Sequence, residues 1–293
     1  MLLIPKSLNK MKNSLLVLFF LILAFQLKAQ APLNVMTFNI RYNNPKDSLN
    51  AWPYRKDKAA SQILFHEAHT VGLQEALYGQ ITDLLERLPK YKFVGVGRDD
   101  GKEKGEFSAI LYDTTRLQLI QTQTFWLSEQ PAVAGSKSWD AAITRIVTWA
   151  KFKDRATKKT FFHFNTHFDH IGKIARRESA KLLLQKVHDI AGTSTIIVTG
   201  DFNATPQDEP IQVIADVNNP LHLTDTKPLS QLPHYGPTGT FSGFGPSEMT
   251  NEPIDYIFIR KGIKVLQHAT LSQNWGGRYS SDHYPVFARL VIQ

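Results

Sequence analysis

The feature that most constrains this chain is a repeated ending. Short apolar runs stop again and again at an acid, an amide or a histidine. Run 35–38 stops at Asn39, run 71–73 at Gln74-Glu75, run 161–164 at Asn165-Thr166-His167, and run 196–198 at Thr199-Gly200-Asp201-Phe202-Asn203. Ile254-Asp255-Tyr256-Ile257 sets a carboxylate inside an apolar start, and Ser281-Asp282-His283 leads directly into another apolar run. Runs of this length read as buried strands. One Asp or Asn at a strand end is an ordinary turn former, but six such endings point to a shared rim where packed sheets finish. That rim would hold Glu75, Asp201, Asp255 and Asp282 with His167 and His283. Clustered carboxylates are costly to keep ionised without a cation or a histidine beside them. The chain has no cysteine, so oxygen donors point to a hard metal, Mg²⁺ or Mn²⁺.

The remaining periodicity sets the fold class. Strand-like runs fall at 33–40, 70–73, 92–96, 107–112, 117–126, 143–153, 160–166, 195–198, 254–259, 263–271 and 285–292. Helical spacing covers 54–67 behind Pro53, 80–88 before Pro89, and 173–190 before Gly192; Asp208-Glu209 reads as a helix start. Strands outnumber helices and adjacent runs look hairpin-linked, a layered α/β or α+β pattern with mixed sheets. Segment 218–252 is irregular and rich in Pro, Gly and Thr, and 97–105 is a shorter irregular stretch. Long irregular segments inside compact domains are often functional.

Residues 1–29 read as a secretory signal peptide. Lys6, Lys10 and Lys12 precede the uncharged apolar run 14–25, and Ala29 offers a small residue for cleavage. The run is shorter than the roughly 20 residues a membrane span needs. The expected product is a secreted or periplasmic monomer without a transmembrane span, with one domain over 30–293. The formal charge of +8 then falls: losing Lys6, Lys10, Lys12 and Lys28 leaves 30 basic against 26 acidic side chains, or +4. Such an excess suits an anionic substrate but is far from a dedicated nucleic-acid binder.

Six motifs in order resemble the endonuclease/exonuclease/phosphatase superfamily, which includes deoxyribonuclease I, abasic-site endonucleases, sphingomyelinases, inositol 5-phosphatases and deadenylases. They are Met36-Thr37-Phe38-Asn39-Ile40, Gly72-Leu73-Gln74-Glu75, Asn165-Thr166-His167, Gly200-Asp201-Phe202-Asn203, Ile254-Asp255-Tyr256-Ile257 and Ser281-Asp282-His283-Tyr284-Pro285-Val286. The resemblance implies a four-layer α/β sandwich, with two mixed sheets face to face and helices outside. It implies Glu75 as the principal Mg²⁺ ligand, with Asn39 and Asp282 completing or bracing the metal site. It casts Asp201 and Asn203 as positioning water and phosphate, and His283, oriented by Asp255, as base or phosphate contact. His167 becomes the second histidine and Arg145 a phosphate-contacting arginine.

The resemblance also implies the chemistry, hydrolysis of a phosphodiester or phosphomonoester by activated water. Nucleic acid, nucleotide, lipid head group and sugar phosphate all stay open as substrates, with a sphingomyelinase-like diesterase as one alternative. A non-catalytic phospholigand-binding module is another, and it predicts damage at Glu75, Asp201 or His283, where none is found. Arg41 stands where abasic-site endonucleases carry a second acid, which argues against that branch. Arg98-Asp99-Asp100-Gly101-Lys102 resembles a loop of deadenylase-like bacterial members. Asp169 and His170 would shape the rim, His66, His69 and His188 read as structural, and Trp126, Trp139, Tyr235 and Phe244 are candidates for stacking on a substrate.

Overall fold

A computed structural model of the chain describes residues 31–245, 251–260 and 262–293. Contacts group Pro32–Gln293 into one compact unit. The leader assigned to 1–29 lies outside the described residues. No helix among those described is long and apolar enough to cross a membrane.

The strands run β1 Leu33–Asn39, β2 Thr70–Gln74, β3 Tyr91–Val94, β4 Ile110–Asp113, β5 Leu117–Trp126, β6 Ile146–Asp154, β7 Thr160–His167, β8 Ile196–Asp201, β9 Thr224–Asp225, β10 Asp255–Ile259, β11 Ile263–Thr270, β12 Asn274–Trp275, β13 Arg278–Tyr279 and β14 Val286–Ile292. One sheet is ordered β11-β14-β1-β2-β4-β3 and the other β5-β6-β7-β8-β10-β9. Parallel pairs (β1 with β2, β7 with β8) sit among antiparallel ones, so both sheets are mixed. Helices Lys56–Phe65 and Tyr78–Arg87 cover the first sheet, packing Ala60, Ile63, Ile81 and Leu84 against Met36, Phe38, Val71 and Leu73. Helices Lys173–Ala191 and Glu209–Ala215 cover the second, packing Leu183, Val187 and Ile214 against Phe164, Val198 and Phe258. A third core of Leu33, Val35, Phe152, Ile197, Ile257 and Leu290 lies among inward-facing strand positions. The result is the expected four-layer sandwich.

Side-chain alternation explains the repeated endings. In β1, Met36 and Phe38 belong to the helix-side core, while Leu33 and Val35 belong to the inner one, as do Ile197 of β8 and Ile257 of β10. Continuing the inner parity along each strand gives Thr37 and Asn39, Gly72 and Gln74, His163, Asn165 and His167, Thr199 and Asp201. The space between the sheets thus grades from apolar at one end to polar at the other. The polar middle is densely cross-linked, with Gln74 Oε1 left without a hydrogen bond among the described residues. His163 contacts Thr70 Oγ1 and Thr199 Oγ1, each at 2.8 Å. Asn165 Oδ1 accepts from Gln74 Nε2 at 2.7 Å and Thr199 Oγ1 at 2.9 Å. Burial pushes the His163 pKa down to about 3, so this ring stays neutral.

Several boundaries shift by a few residues from the sequence reading, and two of the shifts have a clear local cause. The run read as 107–112 pairs as β4 only over Ile110–Asp113, because Phe107 instead bridges singly to Ala76 and Gly97. The helix expected over 54–67 closes at Phe65, since Glu67 adopts a left-handed φ of 48°. The irregular 218–252 segment contains only the short edge strand β9 among its described residues.

At the far end of β6, Asp154 accepts from Arg116 through both oxygens, at 2.7 and 2.9 Å. Burial alone would raise its pKa, but Arg116 and the Ala156 amide outweigh that and hold it below the ordinary value. Asp154→Asn is therefore expected to cost about 2–4 kcal/mol at pH 7. A depressed folded pKa gives stability that is present above the unfolded value of about 3.9 and lost as pH falls through the folded value. Urea unfolding at pH 7 and pH 3 should show the gap between wild type and variant shrinking at the lower pH.

Candidate active site

The polar end of the inner layer brings the expected residues together. Register sets Asp201 opposite both His167 and Asp255, and Asn39 opposite Gln74. From the first sheet, Asn39 Nδ2 donates to Asp201 Oδ2 of the second at 2.9 Å and to Glu75 Oε1 at 3.1 Å. Asn39 therefore presents its amide nitrogen to the acids and braces them.

His283 is buried beside this bridge. Its Nδ1 lies 2.9 Å from Asp255 Oδ2, and its Nε2 lies 3.8 Å from Asp201 Oδ2. Thr240, from the irregular segment, donates to the same Asp255 oxygen at 2.6 Å, and the Phe241 ring packs against the imidazole edge. Burial by itself lowers the His283 pKa, but Asp255, Asp201 and Asp282 together raise it well above the usual value. Asp201 is raised as well, by burial first and by Asp255 second.

Glu75 follows directly on the end of β2 in a left-handed conformation, φ 59°, and Arg41 and Asn203 share that region at φ 55° and 48°. Three non-glycine residues in a sparsely populated region, all at one rim, are a mark of functional strain. Glu75 Oε2 accepts from the Tyr42 amide at 3.1 Å. Arg41 stands 3.8 Å from Glu75 and 3.6 Å from Asp282, but its two-pronged contact at 3.0 and 3.2 Å is with Asp47. Among the described residues, neither Glu75 nor Asp282 therefore has a cation at close hydrogen-bonding distance. Burial, with the nearby Glu75 charge adding to it, raises the Asp282 pKa. Two such carboxylates fit a hard cation, Mg²⁺ or Mn²⁺. Ligand atoms of Asp201, Asp255 and His283 also lie within 4.8 Å of one another. Asp255 bonds His283 and Thr240, and Asp201 accepts from Asn39 and the Asn203 amide, so these atoms are already committed and Glu75 with Asp282 is the better cation site.

Across the rim, His167 Nε2 meets Asn203 Nδ2 at 3.0 Å. Burial and then Arg145 and Arg98 hold the His167 pKa far below the usual value, so the ring is neutral. Arg145 is buried, its Nη2 is 3.2 Å from His170 Nδ1, and its Nε and Nη1 have no hydrogen-bond partner. Arg98 is held by Glu106 through two bonds of 2.7 and 2.9 Å. Arg145 Nε stands 3.7 Å from Asp169 and Arg98 is paired with Glu106, so the Nε and Nη1 of Arg145, beside the neutral His167, are the donors that would make an anion pocket.

The sequence reading missed three contributors. Glu106 anchors Arg98, and its neighbouring apolar run disguised it as a strand lead-in. Thr240 orients Asp255 from a segment without periodicity. Arg55 is buried and donates to the Ile40 and Ser280 carbonyls at 2.7 and 2.8 Å, tying the end of β1 to the segment before His283. Two of the stacking candidates are packed: Trp126 donates to the Arg98 carbonyl at 2.7 Å, and Phe244 lies against Arg55.

This geometry has relatives. The model of the Endonuclease/Exonuclease/phosphatase family matches residues 36–283, from the first rim strand to His283 itself. The chain belongs to the endonuclease/exonuclease/phosphatase family. Within that family it is similar to a Bacteroides vulgatus member, at 40% identity and TM-score 0.85, covering 90% of this chain and 100% of that one. It is similar to a mannosyl-6-phosphatase of Bacteroides thetaiotaomicron at 37% identity and TM-score 0.83, covering 88% and 99%. The catalytic domain of human Nocturnin shares the fold at 20% identity and TM-score 0.70, covering 89% and 95%. Among curated relatives, it is 22% identical to Drosophila melanogaster Protein angel over 59% of this chain. The chain spans 50% of the length of that protein and 60% of the length of a second, mimivirus relative. The family is one of phosphoester-cleaving enzymes, and the family match and the fold place this chain in it.

Proposed function

We propose that this family member is an exported, metal-dependent phosphomonoesterase that releases phosphate from a phosphorylated sugar. The observation that carries the reading is the rim itself: the Asp255–His283 pair, Asp201 and Glu75 meet through Asn39, beside the Arg145–Arg98 anion pocket. The sugar phosphate draws support from the full-length likeness to the mannosyl-6-phosphatase. The buried Arg145 and the partly buried Arg98 also suit the doubly charged group of a monoester. Export rests on the leader-like 1–29, with cleavage near Ala29, and N-terminal sequencing of the secreted chain checks it.

Glu75 and Asp282 would hold Mg²⁺, which supplies Lewis-acid neutralisation of charge growing on the phosphate oxygens. Asn39 keeps both Glu75 and Asp201 aimed. Asp201 Oδ2, raised towards neutrality, takes the proton of the attacking water, while the Nε2–H of a protonated His283 holds a phosphate oxygen. Asp255, fixed by Thr240, accepts from the His283 Nδ1–H, and its charge favours the doubly protonated ring that carries the Nε2–H. Asn203 and Arg145 align the phosphate for in-line attack.

A lipid head-group reading has one observation of its own. The β12–β13 hairpin, unforeseen in the sequence, carries an exposed Trp275 near the highly exposed Phe65. One screen separates the readings: phosphate or ester release from mannose 6-phosphate, sphingomyelin vesicles, oligonucleotides and bis(p-nitrophenyl) phosphate. Sugar-phosphate turnover well above the rest supports the proposal, and sphingomyelin as the preferred substrate sinks it. In the same screen, Asp282→Asn should raise the Mg²⁺ concentration for half-maximal rate by about tenfold or more.

A further inference from the structure

We propose that His170 and Trp139 form the subsite for the sugar ring of the substrate, beside the phosphate pocket; this rests on the phosphoesterase reading above. His170 is exposed at the rim, whereas the Arg145 it touches is buried. Arg145 Nη2 lies 3.2 Å from His170 Nδ1. A guanidinium can only donate, so Nδ1 accepts and the ring N–H sits on Nε2. Among the described residues no protein group bonds that Nε2. The arginine thus turns His170 into a fixed, outward N–H donor next to the anion pocket.

The backbone holds the ring in place. Asp169 accepts from the amides of Ala142, Ile143, Ile171 and Gly172 at 3.1, 3.2, 2.9 and 2.7 Å. These bonds also draw the loop that carries Trp139 against the His170 segment. Trp139 has φ 57°, in the left-handed region. Its neighbours pin it there: Ser138 Oγ accepts from the Glu129 amide at 3.0 Å, and Asp140 accepts from Ile174 and Ala175 at 3.2 and 2.6 Å. A bulky residue in that region is strained and persists only where its surroundings impose it. Trp139, partly exposed, thus stands next in sequence to the Asp140 that caps the first turn of helix Lys173–Ala191. In the proposed subsite Trp139 would offer an aromatic face to the C–H face of a pyranose, His170 an N–H donor to its hydroxyls and Arg145 a guanidinium to its phosphate.

The test compares mannose 6-phosphate with p-nitrophenyl phosphate, whose leaving group carries no second hydroxyl. His170→Leu should raise KM for mannose 6-phosphate about tenfold, while KM for p-nitrophenyl phosphate stays within about twofold. His170→Gln keeps an acceptor for Arg145 and an outward donor, and should stay within about threefold of wild type on both. Trp139→Ala should raise both KM values, with Trp139→Phe restoring them. An equal loss on both substrates in His170→Leu would mean that His170 only orients Arg145, and overturns the subsite. A wild type that hydrolyses p-nitrophenyl phosphate but no hexose phosphate overturns the subsite while leaving the phosphoesterase standing. A wild type that cleaves no phosphoester brings down both.

Discussion

Replacing His283 by alanine is expected to lower kcat for phosphoester hydrolysis by about 10³-fold. The reason is positional. Nδ1 of His283 is committed to Asp255 at 2.9 Å, and its other nitrogen faces Asp201 across 3.8 Å, beside the Asn39 amide that joins the two sheets. Alanine removes the donor to the phosphate and leaves Asp255 without its main partner. Asp255→Asn should produce a loss of the same order, because it releases the ring from its fixed orientation. Groups that act as a unit are not additive, so the double variant should be little slower than His283→Ala alone. Phosphate release measured on the three variants checks this. Losses that multiply would show that the two residues act separately.

The second large effect is on folding. Gly72 occupies an inner-facing position in β2, where an added Cβ would lie 2.1 Å from Thr199 Oγ1 and 2.3 Å from Asn165 Oδ1. The neighbours cannot give way cheaply. Asn165 Oδ1 already accepts from Gln74 and Thr199, and its Nδ2 donates to the Leu73 and Ala109 carbonyls at 2.8 and 2.9 Å. The β2 backbone is pinned between β1 and β4. Gly72→Ala must push the sheets apart or break that network, at a cost of about 3 kcal/mol or more. In a chain of this size that corresponds to a fall of roughly 6–12 °C in Tm. Activity should fall too, since Gln74 leads into Glu75. Scanning calorimetry alongside the activity assay would measure both, and an unchanged Tm would show that the intersheet layer is looser than its contacts imply.

Much of this was legible because the rim is written in parity. A strand that alternates two cores must expose its inner positions to one gradient, so Asn39, His167, Asp201 and Asp255 could be read from strand ends alone. His283 and Glu75 followed because each adjoins a strand of the first sheet. Other residues left no such mark. Glu106 and Arg98 pair across an irregular loop, and nothing periodic links them. Thr240 is one threonine in a Thr-rich stretch, and only the fold brings its hydroxyl to Asp255. Arg55 fell inside the helix read over 54–67, where nothing marks it as buried among carbonyls supplied from distant segments. The amide orientation of Asn39 was equally out of reach, because bracing and ligation use the same residue type. Arg41 was noticed as a departure from one branch of the family, and its position between Glu75 and Asp282 gives that departure a physical content.

The most direct test of the account is phosphate release from mannose 6-phosphate by wild type and Glu75→Gln, each in Mg²⁺ and in EDTA. The account predicts release by wild type in Mg²⁺, a loss of at least about 10²-fold in EDTA that added Mg²⁺ reverses, and no comparable rate from Glu75→Gln in either condition. Equal rates in Mg²⁺ and EDTA, or full activity in Glu75→Gln, would contradict it.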